Sequence, residues 1–119
     1  MQYLLMCCID EKLWERIPES QRDTIMQEYG AWEQGIVKSG HYCASARLGP
    51  SSSAATVRAK NGKPVITDGP FAETKEHIGG YHLVECKDRD EAISIAMRIP
   101  TLRVGGTIEV RAVMPSSET

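Results

Sequence analysis

Residues 65–85 read VITDGPFAETKEHIGGYHLVE. A β-compatible run ends at Thr67, Asp68-Gly69-Pro70 follows, and after a charged run Gly79-Gly80 leads into a second strand. The Asp-Gly-Pro triplet is turn chemistry: Asp bonds its own downstream backbone, Gly admits a positive φ and Pro fixes the next φ. Phe71, the only phenylalanine in the chain, reads as an anchor that pins the loop to the core. The run ETKEHI (73–78) reads as a solvated loop, with Glu73 and His77 as i,i+4 neighbours if it turns helically. The paired glycines permit a bend or a close backbone approach.

Upstream, AATVRAK (54–60), Asn61-Gly62 and KPVIT (63–67) predict a β-hairpin. HYCASARL (41–48) predicts a strand before it, and QYLLMCCI (2–9) a strand buried on both faces. Between these, Pro18 opens a helix over 19–38, where its missing N–H costs nothing. Ile25, Tyr29, Trp32 and Ile36 form its apolar stripe, widened by Met26 and Val37, and Gly40 suits a left-handed end. Downstream, 80–87 is a strand, and Asp88 with Glu91 makes a capping box for a helix carrying Ala92, Ile93, Ala96, Met97 and Ile99. Pro100 stops that helix, and GTIEVRAVM (106–114) is the last strand.

The order is β-α-β, a hairpin, then β-α-β. This is an α+β chain on the ferredoxin-like βαββαβ plan with an inserted hairpin, one domain over 1–114 and a flexible tail over 115–119. Both crossover helices pack on one face of the antiparallel sheet. Two helices leave the other face bare, and a second subunit set face to face covers it, so a homodimer is expected.

With 119 residues the chain has room for one core and not two. A net charge of −2 and a pI near 5.9 give no electrostatic reason for a direct nucleic-acid partner. MQYLLMCCID lacks the basic start and cleavage site of a signal peptide, and no apolar run approaches the ~20 residues of a membrane span. A cytoplasmic location without membrane association is expected. Cys7, Cys8, Cys43 and Cys86 show no C-x-x-C spacing and read as small buried hydrophobes, so neither a metal site nor a disulfide framework is expected.

Strand alternation sorts the candidate site residues. With Ile108, Val110 and Ala112 under the helices, Tyr81, Glu85, Glu109 and Arg111 face the bare side, as a polar pocket or as ordinary cross-strand ion pairs. His41 and His82 read as structural histidines. Cys43 beside His41, and Cys86 beside His82, share strand faces at i,i+2, a spacing that chance supplies often. Gly-rich phosphate loops, G-x-S-x-G and H-E-x-x-H are absent.

ITDGPFAETKEHIGGYHLVE, DEAISIAMRIP and GTIEVRAVM, with MQYLLMCCIDE, YGAWEQGIVKSGHY and ATVRAKNGKPVITDGPF, together resemble the DGPF proteins of the YCII-related group over nearly the whole chain. The resemblance implies a dimeric ferredoxin-like α+β barrel with two sheets face to face. Relatives of that architecture include small isomerases, monooxygenases and haem-handling proteins. Some members are encoded beside or fused to sigma factors of the extracytoplasmic-function type, which implies a regulatory partner. The wider group carries a proposed His–Asp catalytic pair; the resemblance carries over Asp68 within the DGPF motif and assigns no histidine of this chain.

Two functions follow. In the first, the protein binds a small molecule between the sheets and is an enzyme of isomerase, lyase or monooxygenase type without a cofactor. Asp68 is then the acid/base, its pKa raised by burial near Glu109; Tyr81, Glu109 and Arg111 are the substrate-binding set, with Arg111 on a carboxylate or oxyanion and Tyr81 donating a hydrogen bond. In the second, it is a non-catalytic dimeric module that binds a sigma factor, with the same residues as a structural network.

Overall fold

The computed structural model describes residues 1–72 and 74–116. Its elements are β1 (Gln2–Asp10), α1 (Glu11–Arg16), α2 (Glu19–Lys38), β2 (Tyr42–Arg47), β3 (Ala55–Lys60), β4 (Lys63–Asp68), β5 (Glu76–Glu85), α3 (Arg89–Ala96) and β6 (Thr107–Ala112). Short 3₁₀ turns cover Ser51–Ser53 and Pro100–Val104. The main sheet has the order β2-β5-β1-β6, antiparallel throughout, which is the ferredoxin-like arrangement; β3 and β4 form a separate two-stranded sheet.

The core lies between this sheet and the helices. Tyr3 and Leu5 of β1 and His82, Val84 and Cys86 along the β5 line face inward against Trp32 and Ile36 of α2 and Ala92, Ile95 and Ala96 of α3. Leu5, Ile25, Ile36, Val84 and Ile99 are fully buried, each contributing about 1.5–3 kcal/mol of transfer free energy. Trp32 also donates its indole N–H to the Ile95 carbonyl at 3.1 Å, which ties α2 to α3.

Several expectations change. Asp10 caps α1 by accepting from the Lys12 N–H at 2.9 Å, so a short helix follows β1 directly. The presumed loop at 73–78 is strand from Glu76, because β1 runs on to Asp10 and pairs with it. Glu73 and the tail from 117 lie outside the described residues. Val37 and Met97 are exposed and not core, since the α2 stripe narrows to Ile25, Trp32 and Ile36 and the α3 stripe to Ala92, Ile95 and Ala96. Pro100 opens a 3₁₀ turn as well as ending α3. The capping box forms, with Asp88 accepting from the Glu91 N–H and Glu91 reaching one residue further, to the Lys87 N–H.

The hairpin is the other departure from a simple sheet. Asn61 (φ 52°) and Gly62 (φ 78°) make the two-residue turn that matches strand twist. At its base Gly69 takes φ 97°, and the Asp68 carboxylate bonds nothing among the described residues. The turn is held from β3 instead: the Ala54 carbonyl accepts from the Gly69 N–H at 2.7 Å, the Thr56 hydroxyl donates to the Gly69 carbonyl and Arg58 donates to the Phe71 carbonyl at 2.9 Å. With the backbone fastened there, the Phe71 ring is 77% exposed and is no anchor to the core. The molecule measures 49 × 48 × 18 Å with a radius of gyration of 16.5 Å, against about 13.5 Å for a compact chain of this length. The hairpin projects as an arm from a body two layers thick. Among the described residues no helix is long and apolar enough to cross a membrane.

Candidate functional site

On the helix side of the sheet, a cleft of about 490 Å³ opens between α2, α1, the 48–50 loop and the ends of β1, β2 and β5. Strand register decides its floor. Cys7 lies opposite Gly80, Arg47 opposite Gly80, and Ser45 opposite His82, all on the helix-facing side. The β5 register shifts between Ile78 and Gly80, leaving Gly79 as the extra residue of a bulge, and its carbonyl accepts the Leu48 N–H at 2.9 Å. A side chain at Gly80 would stand 3.0 Å from the Ala46 carbonyl oxygen, so the cleft floor there is backbone alone.

Tyr29 of α2 leans over this floor. Its hydroxyl is hydrogen-bonded to His82 Nε2 and lies 3.3 Å from Cys7 Sγ. His82 is buried and wedged edge-on against the Trp32 ring, with centroids 4.8 Å apart. Its other nitrogen, Nδ1, is buried without a hydrogen-bond partner among the described residues. An unmade bond on a buried polar atom costs about 1–3 kcal/mol, so this imidazole is held at some expense to stability. It is not the satisfied structural histidine that its strand position suggested.

The electrostatics keep the trio uncharged. Burial pushes the His82 pKa below its ordinary value, with the Glu33 carboxylate opposing. Burial, then Cys7 and Glu33, push the Tyr29 phenol far up, while Arg47 pulls the other way. Burial also raises the Cys7 thiol despite its bond to Tyr29, so Cys7 is a neutral thiol and a poor nucleophile. Two of the cleft's carboxylates are already engaged. Glu33 accepts from the Ser45 hydroxyl at 3.0 Å, and Glu11 holds both the hydroxyl and the N–H of Ser51, the latter at 3.1 Å. The Ser51 bonds lower the Glu11 pKa. The Arg47 guanidinium has no ion pair among the described residues.

The residues singled out from sequence lie elsewhere. Tyr81 pairs with Met6, Glu109 with Met6 and Arg111 with Leu4, on the face that carries no helix. Glu109 and Arg111 form an exposed ion pair there. Asp68 ends β4 opposite Ala55, in the arm's own sheet. None of the four lines the cleft. Cys86 shares the His82 face but is packed in the core, and Cys43 Sγ bonds the His41 carbonyl at 3.8 Å. His41 itself bridges the Ser39 hydroxyl and Glu91. Among the described residues no cluster of three or more His, Cys, Asp or Glu side chains could hold a metal ion. Sequence reasoning missed Tyr29 by counting it as helix stripe. The available signal was a polar-tipped ring on α2 facing a histidine on an otherwise apolar strand face.

The sequence matches the YCII-related domain over residues 1–117. The chain belongs to the YCII-related family. This YCII-related protein is 34% identical over 112 residues to an uncharacterized protein of Rhizobium meliloti (strain 1021), covering 93% of this chain and 90% of that one. Its fold is similar to that of 5-chloro-2-hydroxyhydroquinone dehydrochlorinase (TftG) from Burkholderia phenoliruptrix AC1100, solved in complex with 2,5-dihydroxybenzoquinone. The TM-score is 0.55 at 14% identity, over 99% of this chain and 98% of that one. At that identity the likeness concerns the fold.

Proposed function

We propose that this protein binds a small organic molecule in the cleft between α2 and the sheet and moves a proton on it, as a cofactor-independent acid/base enzyme of isomerase or lyase type. The observation that carries this reading is the buried, uncharged His82 bonded to the Tyr29 hydroxyl at the wall of a cleft of about 490 Å³. That volume suits a metabolite-sized ligand. A phenol with a strongly raised pKa is a poor base by itself. Coupled to an imidazole it becomes a relay: the Tyr29 oxygen takes a proton from the ligand as the phenol's own proton passes to His82 Nε2. The nearby Glu33 favours the imidazolium so formed. Arg47, free of ion pairs among the described residues, supplies the charge to hold an anionic oxygen that develops on the ligand. Trp14, Met26 and Ile9 give the cleft apolar walls for a planar ring. The dehydrochlorinase with this fold, bound to a dihydroxybenzoquinone, gives a precedent for enzymatic chemistry on the architecture.

The test is hydrogen exchange on a panel of small enolisable and phenolic compounds, 2,5-dihydroxybenzoquinone included, followed by NMR in D₂O. The expected outcome is catalysed C–H exchange in at least one compound, with saturable shifts at the Tyr29 and His82 resonances, lost in His82→Gln. Exchange that survives His82→Gln unchanged, or a panel that leaves both resonances unmoved, overturns the reading.

A further inference from the structure

The cleft selects its ligand by shape. Arg47, Gly80 and Cys7 form one rung across β2, β5 and β1, on the helix side of the sheet. Strand spacing sets the outer two about 10 Å apart, and van der Waals contact at each side leaves about 6 Å free over Gly80. That gap has the width of one six-membered ring. Its floor is backbone, because a side chain at Gly80 would stand 3.0 Å from the Ala46 carbonyl oxygen. Gly30 of α2 also lines the cleft, and a Cβ there would meet nothing within 4 Å, so the helix wall is bare at that point too. A flat ring fills such a slot.

Charge narrows the class further. Among the described residues that line the cleft, the three carboxylates of Glu11, Glu15 and Glu33 stand against the one guanidinium of Arg47, an excess of two negative charges. A ligand with its own carboxylate or phosphate is repelled by that excess, and an uncharged ligand is not. Proton transfer leaves the balance as it was. The C–H bond breaks, its electron pair moves onto the carbonyl oxygen, and Tyr29 takes the proton as its own passes to His82. One enolate and one imidazolium form together, so no net charge is added to the cleft. Resting on the proton-transfer reading above, we infer that the substrate is an uncharged, flat ring compound bearing an enolisable carbonyl, its oxygen toward Arg47, and that compounds carrying a carboxylate or phosphate are turned away.

The experiment uses the full chain at low salt. 4-Nitrophenolate stands in for the enolate, a flat ring with one charge on oxygen, and its absorbance follows binding. Acetophenone, uncharged, and phthalate, doubly charged, then compete for the site. Acetophenone is expected to displace the phenolate, and phthalate to do so about 30-fold less well. Arg47→Met weakens the phenolate about 10-fold. Glu15→Lys, which cancels the excess charge, improves phthalate about threefold. A phenolate that fails to bind, phthalate that displaces it as readily as acetophenone, or either variant with wild-type affinities each overturns the substrate class. These affinities need no reaction, so they are read apart from hydrogen exchange. The affinity order without exchange on any compound upholds the selection by shape and charge and overturns the relay alone; exchange without the order does the reverse.

Discussion

Replacing Tyr29 with phenylalanine tests the cleft most sharply, because it removes one oxygen and little else. The ring contacts with Trp32 and His82, at 5.6 and 5.4 Å between centroids, survive the change. What disappears is the only hydrogen bond the His82 side chain makes among the described residues, since its Nδ1 is already unpartnered. The variant therefore holds a buried imidazole with neither nitrogen satisfied, a penalty of about 1–3 kcal/mol. The Cys7 contact adds little, sulfur being a weak partner. With a urea m-value of about 1–3 kcal/mol per molar, the unfolding midpoint moves down by about 1 M. In the exchange assay the loss of a positioned proton-transfer group lowers the rate about 10²–10⁴-fold. Denaturation curves and exchange rates of Tyr29→Phe and wild type decide the matter together. A midpoint unchanged within error, with exchange at the wild-type rate, would refute the view that the hydroxyl both satisfies His82 and serves as its relay.

Two further outcomes follow from the same geometry. Because burial depresses the His82 pKa, the unfolded chain binds the proton first on acidification. Stability is then full above about pH 6.5 and declines as pH falls below that toward the depressed folded value. Urea titrations from pH 7.5 to 5 should show this slope in wild type and less of it in His82→Gln; equal slopes would assign the effect to other groups. Gly80→Ala puts a methyl 3.0 Å from the Ala46 carbonyl and into the cleft floor, costing about 1–3 kcal/mol and weakening ligand binding, whereas Gly79→Ala meets nothing closer than 3.9 Å and stays within about 0.5 kcal/mol. Equal stability of the two variants would show that the strands part readily at that point.

The fold was open to reading because its long elements carry whole periods of pattern. The α2 stripe, the unbroken apolar run of β1 and the Asn61-Gly62 turn each identify an element without tertiary help. Element α1 escaped because six residues cannot display an amphipathic period, and only the Asp10 cap marks it. The start of β5 escaped because Glu76 and His77 are poor strand formers that pair at the sheet's end only because β1 extends to meet them. The site was harder. Alternation correctly put Tyr81, Glu109 and Arg111 on the helix-free face, but periodicity assigns a side chain to a face and not to a depth. Tyr29 has the spacing of a core residue, yet the body opens where it stands, and no local pattern records an opening made by α1 and the 48–50 loop.

The neighbouring cysteines of β1 make each side of the sheet chemically addressable. Cys7 points with Gly80 and Ile108 into the helix side and its cleft; Cys8 lies with Ile78 and Thr107 on the reverse, where burial and the Glu76 and Glu109 carboxylates raise its thiol. Both thiols are slow to ionise, so alkylation is limited by access and can be followed in time. A small ligand shields the first from a thiol reagent, and a protein laid on the bare face shields the second. One peptide from one digest, read by mass spectrometry, thus keeps separate accounts of what enters the cleft and what settles on the opposite side.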